Sequence, residues 1–242
     1  MGRRSISYFQ FKQFRIEQER CAMKVSTDAV VLGALARASH QHGNILDIGT
    51  GTGVLALMMA QKYPVADIDA VEIDKEAFEQ ARQNVSSNKL GINITVHQQA
   101  FQEFESSNIE PYDLIITNPP YYSGQLQSNQ TNINLARHEK GLNFSDLWAG
   151  IDRLLKTEGV LWLILPPNEM EDFKSLGKEI GFYSNSQTLL QDRETSKVHR
   201  VIASFTRKKP KQSEKTFLVI KDANNAYTTE YIDLLRDYML HF

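Results

Sequence analysis

Asn118-Pro119-Pro120-Tyr121 holds the residue types in this chain best suited to chemistry. It follows the apolar run Tyr112 to Thr117, which has the length and composition of a buried strand. The two prolines fix φ and remove backbone donors, so their carbonyls are left as acceptors. Asn118 adds an amide oxygen, and Tyr121 a flat aromatic face. Acceptors beside an aromatic plane at a strand exit suit a planar group that carries an NH2. Asn-Pro and Pro-Pro also mark ordinary turns. The motif therefore needs a second, independent one.

Residues 45 to 53 supply it: Ile-Leu-Asp-Ile-Gly-Thr-Gly-Thr-Gly. An apolar run, a glycine-rich turn and the helix-forming stretch from Val54 to Ala60 make the first unit of a nucleotide-binding α/β sheet. A dinucleotide fingerprint would place glycine at position 54, which is Val54. Instead Gly49, Gly51 and Gly53 follow Asp47. An acid beside the turn opposes a pyrophosphate and suits a cofactor with a cationic tail. S-adenosylmethionine carries both an ammonium and a sulfonium, so this loop favours it over NAD. Glu72 ends the next apolar run, where an acid accepts both hydrogen bonds of a ribose diol. Ala100 and Phe101 follow a third such run, and an adenine could lie against Phe101. An ordinary core aromatic is the competing reading for Phe101.

Together, Asp47-x-Gly49-x-Gly51-x-Gly53, Glu72 and Asn118-Pro119-Pro120-Tyr121 resemble the class I S-adenosylmethionine-dependent methyltransferases that modify exocyclic or amide NH2 groups. The opening Phe9-Gln10-Phe11-Lys12-Gln13-Phe14, the segment Met23 to Val30 and Ala136-Arg137-His138-Glu139 narrow the likeness. They resemble the bacterial tRNA(Val) adenine-N6 methyltransferases, which act on the adenosine next to the anticodon. That resemblance implies catalytic roles for Asn118, Pro119 and Tyr121. It also implies a cofactor pocket that includes Asp47, Gly49, Gly51, Gly53, Glu72, Ala100, Phe101 and Asn118. Lys24 and Thr27 would help to close that pocket. Other planar NH2 substrates stay open: guanine N2 of ribosomal RNA, DNA adenine and release-factor glutamine. A non-catalytic RNA-binding protein with a vestigial cofactor fold is the alternative of another class.

The chain has 242 residues, no internal repeat and no apolar run long enough to span a bilayer. Its single cysteine, Cys21, excludes an internal disulfide and a cysteine-rich metal site. The six histidines show no ligand spacing, so no metal is expected. These features suit a monomer in a reducing cytoplasm. Net charge is only −2, but its distribution is uneven. Residues 43–117 hold 11 acids and 4 bases, whereas residues 1–24 hold 6 bases and 2 acids. Residues 193–215 hold 8 bases and 2 acids. Basic flanks around an acidic core suit an RNA partner, here tRNA.

The expected architecture is one α/β, Rossmann-like domain with a mostly parallel, seven-stranded, doubly wound sheet and an antiparallel closing strand. Residues 1–40 would form a basic, helical extension, 41–207 the catalytic core and 208–242 a C-terminal extension. Strands are expected at 44–48, 67–73, 92–98, 112–117 and 159–165. Helices alternate with them at 53–62, 75–88, 143–156 and 168–180. Helix 26–39 precedes the sheet, and two strands within 181–207 close it. An edge strand at 215–220 and a helix at 228–240 finish the chain. The polar stretch 121–142 has the length and composition of a lid.

Overall fold

The computed structural model describes residues 7–38, 43–105, 110–119 and 143–242. Pro120, Tyr121, the 121–142 stretch and Arg3-Arg4 lie outside the described residues. The chain opens on a hairpin, β1 (Tyr8–Gln10) and β2 (Arg15–Glu17). Helix α1 (Thr27–Leu35) starts at Ser26, whose hydroxyl accepts from the Ala29 N–H. Strands and helices then alternate: β3 (Asn44–Ile48), α2 (Val54–Lys62), β4 (Asp67–Glu72), α3 (Lys75–Ser87), β5 (Ile94–Gln98) and β6 (Tyr112–Thr117). After the undescribed stretch come α4 (Phe144–Leu154), β7 (Leu155–Leu165), α5 (Pro167–Glu179), β8 (Tyr183–Gln191) and β9 (Arg200–Thr206). Strand β10 (Glu214–Val219) and α6 (Thr229–Leu235) end the fold.

The main sheet has eight strands in the order β10-β8-β9-β7-β6-β3-β4-β5. Only β9 opposes its neighbours β7 and β8; β10 runs parallel to β8. The strand order reverses between β3 and β6, so the carboxyl ends of β3, β4 and β6 surround the topological switch point. Ligands bind in α/β sheets at that crevice. Both faces are covered, which is why the central strands are mostly apolar: every residue of β6 is buried, Asp113 and Thr117 included. One core layer lies under α1, α2 and α6, the other under α4 and α5. Trp148 of α4 stacks on Phe173 of α5 at 4.3 Å, and a Cβ on Gly177 would stand 2.4 Å from its ring.

Three expectations need correction. The sheet gains an eighth strand because β10 pairs along its whole length with β8. Ahead of α1 the N-terminal segment carries a two-stranded hairpin that was not expected. Asn84 of α3 and Asn88, which caps its C-terminus, anchor it, since their side chains bond the backbone of Glu17 and Arg15. Helix α1 stops at Leu35, four residues short of the expectation, where Ala36 leaves the helical region at ψ 133°.

Candidate active site

The loop after β3 is built from three glycines with positive φ: Gly49 at 68°, Gly51 at 55° and Gly53 at 81°. Only glycine adopts such values without strain. A Cβ on Gly49 or Gly51 would meet nothing within 4 Å, so both face open space. Gly49 and Thr50 donate their N–H groups to the Val71 carbonyl, which ties the loop to β4. Gly53 caps α2 without any side-chain acceptor. Asp47 takes over that task from below. It is 0% exposed, and its Oδ2 accepts from Thr50 Oγ1 at 2.5 Å and from the Ala56 N–H at 3.1 Å. An acid at a helix N-terminus offsets the positive end of the dipole. Burial pushes the Asp47 carboxyl up to about 7; the two hydrogen bonds pull it down, and the nearby Glu72 charge adds to the rise.

Glu72 closes the opposite wall. Its Oε2 accepts from the Gly51 N–H and its Oε1 from the Asp74 N–H, both at 2.9 Å. A carboxylate has about four acceptor positions, so these two bonds leave capacity on each oxygen. Thr117 fixes the end of β6 by donating to the Ile48 carbonyl at 2.9 Å. Beyond it, Asn118 and Pro119 reach the same hollow. Asn118 Oδ1 is buried and has no hydrogen-bond partner among the described residues. Asp47 Oδ1 shares that state. A buried acceptor left unpaired costs free energy; Asn118 lines the hollow, so its Oδ1 marks a place for a donor from a ligand.

These groups bound one cavity of about 310 Å³. Gly49, Gly51, Glu72, Phe101, Asn118 and Pro119 line it. Asp47, Gly53 and Ala100 do not line it; Asp47 and Ala100 are next in sequence to lining residues, and Gly53 is two from Gly51. Lys24 and Thr27 do not line it. Val25 N–H bonds Gln18 Oε1 and Ser26 caps α1, which turns the chain away. Cys21, Ala22 and Met23 form the wall in their place, and Ile73 and Gln102 complete it. Sequence patterning gave no sign of these five. Met23 and Ile73 are 57% and 62% exposed at its rim, apolar surface left open beside a hollow. The segment before α1 is held from both ends: the Arg20 N–H donates to Gln80 Oε1, and Arg200 of β9 pairs with Asp28 at 2.6 Å.

Phe101 is both core residue and cavity wall. It packs on Gly150 of α4 so closely that a Cβ there would lie 2.4 Å from the ring. Among the described residues no cluster of three or more histidine, cysteine, aspartate or glutamate side chains could hold a metal ion.

The comparisons agree with this geometry. Residues 26–168 match the model of the methyltransferase small domain. A tRNA1(Val) (adenine(37)-N6)-methyltransferase of Pseudoalteromonas translucida (strain TAC 125) is 40% identical over 97% of this chain and 99% of its own. The chain belongs to that family. It is an S-adenosylmethionine-dependent methyltransferase. A predicted O-methyltransferase of Agrobacterium tumefaciens shares the fold with a TM-score of 0.65, at 19% identity over 87% of this chain and 96% of the other. The glycopeptide N-methyltransferase MtfA, solved with S-adenosylhomocysteine, has a TM-score of 0.53 at 14% identity over 78% and 92%. The residues present fit the cofactor: open space over Gly49 and Gly51 for its backbone approach, spare acceptors on Glu72 for a diol, and a buried acid, Asp47, beneath the loop to suit a cationic tail.

Proposed function

We propose that this enzyme methylates the exocyclic N6 of an adenosine in tRNA, the one that the relatives' name places at position 37. The observation that supports it best is the buried, unpartnered Asn118 Oδ1 at the wall of the cofactor cavity. An adenine amino lone pair is delocalised into the ring and is a poor nucleophile. Asn118 Oδ1 and the Pro119 carbonyl each accept one N–H of that amino group. This localises the lone pair and stabilises the positive charge that develops on nitrogen, an effect largest in the transition state. The bound cofactor supplies an already activated methyl group. The chain's main work is therefore positioning, and no strong general base is needed.

Tyr121 holds the target base by stacking in this reading. Glu72 takes the ribose diol, Phe101 lies against the cofactor's adenine, and Asp47 offsets the positive tail from beneath the loop. An unpaired base in an anticodon loop costs little to extrude into such a site. The lone, buried Cys21 suits a reducing cytoplasm. Among the described residues no helix is long and apolar enough to cross a membrane.

Asn118→Ala should keep cofactor and tRNA affinity within about 3-fold while cutting methyl transfer by ~100-fold or more, as loss of one transition-state acceptor does. Single-turnover assays with radiolabelled cofactor and tRNA measure this. Transfer at the wild-type rate would remove Asn118 from the reaction. Transfer to release-factor glutamine or ribosomal RNA, and none to tRNA, would overturn the substrate.

A further inference from the structure

The two outermost strands carry an open face that the reaction does not use. In β8 and β10 the side chains of Gln187, Leu189, Gln191, Lys215, Phe217 and Val219 share one side of the sheet, paired rung by rung. The opposite side is core: Leu190 and Leu218 are buried there, and α6 packs on β10 from it. On the open side α5 covers β7, β8 and β9. Beyond that cover Phe217 stands 62% exposed on the edge strand. Two amides, a lysine and three apolar side chains make up the strip, and none of the six is an acid; Lys215 and Phe217 are exposed and the other four half-buried. At its foot, where β9 ends and β10 begins, Lys208, Lys209 and Lys211 are all exposed, with Glu214 the one acid between Lys208 and Lys215. At its head the β8–β9 turn is balanced, with Arg193 and Lys197 against Asp192 and Glu194.

An exposed aromatic on the edge strand, next to an exposed lysine and approached through three more, has the chemistry of a platform for unpaired nucleotides. A base stacks on the ring whatever its identity, and the lysines meet the phosphates. We infer that the β8/β10 face docks an unpaired segment of the RNA substrate, with one base stacked on Phe217. This rests on the tRNA reading given above. Four strand spacings separate β10 from β6, on the order of 20 Å. The contact is therefore a second grip on the RNA, away from the base being methylated.

The test compares wild type, Phe217→Ala and Phe217→Trp as full-length chains. Fluorescence anisotropy with a tRNA(Val) transcript gives affinity, steady-state methylation gives KM and kcat, and sedimentation gives the oligomeric state. Phe217→Ala should weaken RNA affinity and raise the RNA KM by about 5- to 150-fold, the range that loss of one base–aromatic stack spans. Its cofactor affinity and kcat should stay at the wild-type level, and Phe217→Trp should restore RNA binding. Unchanged affinity and KM in Phe217→Ala would overturn the inference. So would a change from dimer to monomer with unchanged RNA affinity, because the face would then cover a second copy of the chain. Wild type that methylates no tRNA but another NH2 substrate would instead sink the proposed function, and that control is measured first.

Discussion

Asp47 and Cys21 are the two residues whose chemistry is most altered by where the fold puts them. The spacing of Asp47 before Gly49 was enough to point to a cationic cofactor. Its burial and its bonds to Thr50 and Ala56 were not legible, because they depend on how α2 leaves the loop. A carboxyl pushed up to about 7 by burial is largely protonated at pH 6 and ionised at pH 8. A bound cation favours the ionised form. Cofactor binding should therefore release a proton near pH 6 and little at pH 8, with affinity rising between them. Calorimetry in two buffers of different ionisation enthalpy measures the proton count. Asp47→Asn should flatten the profile; an unchanged profile in that variant would move the effect to another group. Cys21 is the chain's only cysteine, and it lines the same cavity. Burial, then the charges of Glu72 and Asp74, push its thiol up to about 11. Since the thiolate is the reactive form, maleimide labelling at pH 7 should be slow. Added S-adenosylmethionine should slow it further, as mass spectrometry of the intact chain would record; acceleration by the cofactor would mean that Cys21 is exposed on binding.

At the level of elements, what was legible was local. The limits of β3 and β6 match their apolar runs residue for residue, since both strands are buried on two faces and their boundaries are marked by polar or glycine residues. The hairpin β1–β2 was not legible: three-residue strands hold no alternation to read, and its support comes from Asn84 and Asn88 some seventy residues away. The wall formed by Cys21, Ala22 and Met23 was missed for the same reason. Gly150 is another such long-range fact. It is a glycine inside α4, where glycine costs about 1 kcal/mol against alanine. The reason is Phe101, whose ring fills the space where a Cβ would be. Gly150→Ala should thus fail to stabilise the helix. It should destabilise the chain by about 1–3 kcal/mol through overpacking and lower cofactor affinity by displacing Phe101 toward the cavity. Phe101→Leu in the same chain should relieve much of the stability loss. A double-mutant cycle by chemical denaturation reads that coupling, and strictly additive effects would show that the ring does not transmit the strain.

Over the whole molecule, the sheet divides what looked like one basic stretch. Leu165 pairs with Val201 and Val219 with Gln191, so the β8–β9 turn lies at the edge that carries the cavity. Tyr183 pairs with Thr206 at the other edge, and the lysines at 208, 209 and 211 follow directly from there. Strand β9 has seven residues, so the two clusters stand roughly 20 Å apart along the sheet. Arg207 is committed to the fold, paired with Asp152 at 2.6 Å and stacked 4.5 Å over Phe182. A contact made at the far edge cannot touch the reacting amino group, yet it adds to the attraction of a long polyanion. Replacing Lys208, Lys209 and Lys211 by glutamate should accordingly raise the KM for tRNA and leave kcat and cofactor affinity within about 2-fold. The slope of log affinity against log salt should become shallower by roughly 2, at about 0.7 to 0.9 per lost phosphate contact. A salt titration of tRNA binding by anisotropy, from low to physiological salt, measures it. If slope and KM match the wild type, the tRNA body does not cross the lower edge, and the electrostatic grip belongs to the basic N-terminal segment.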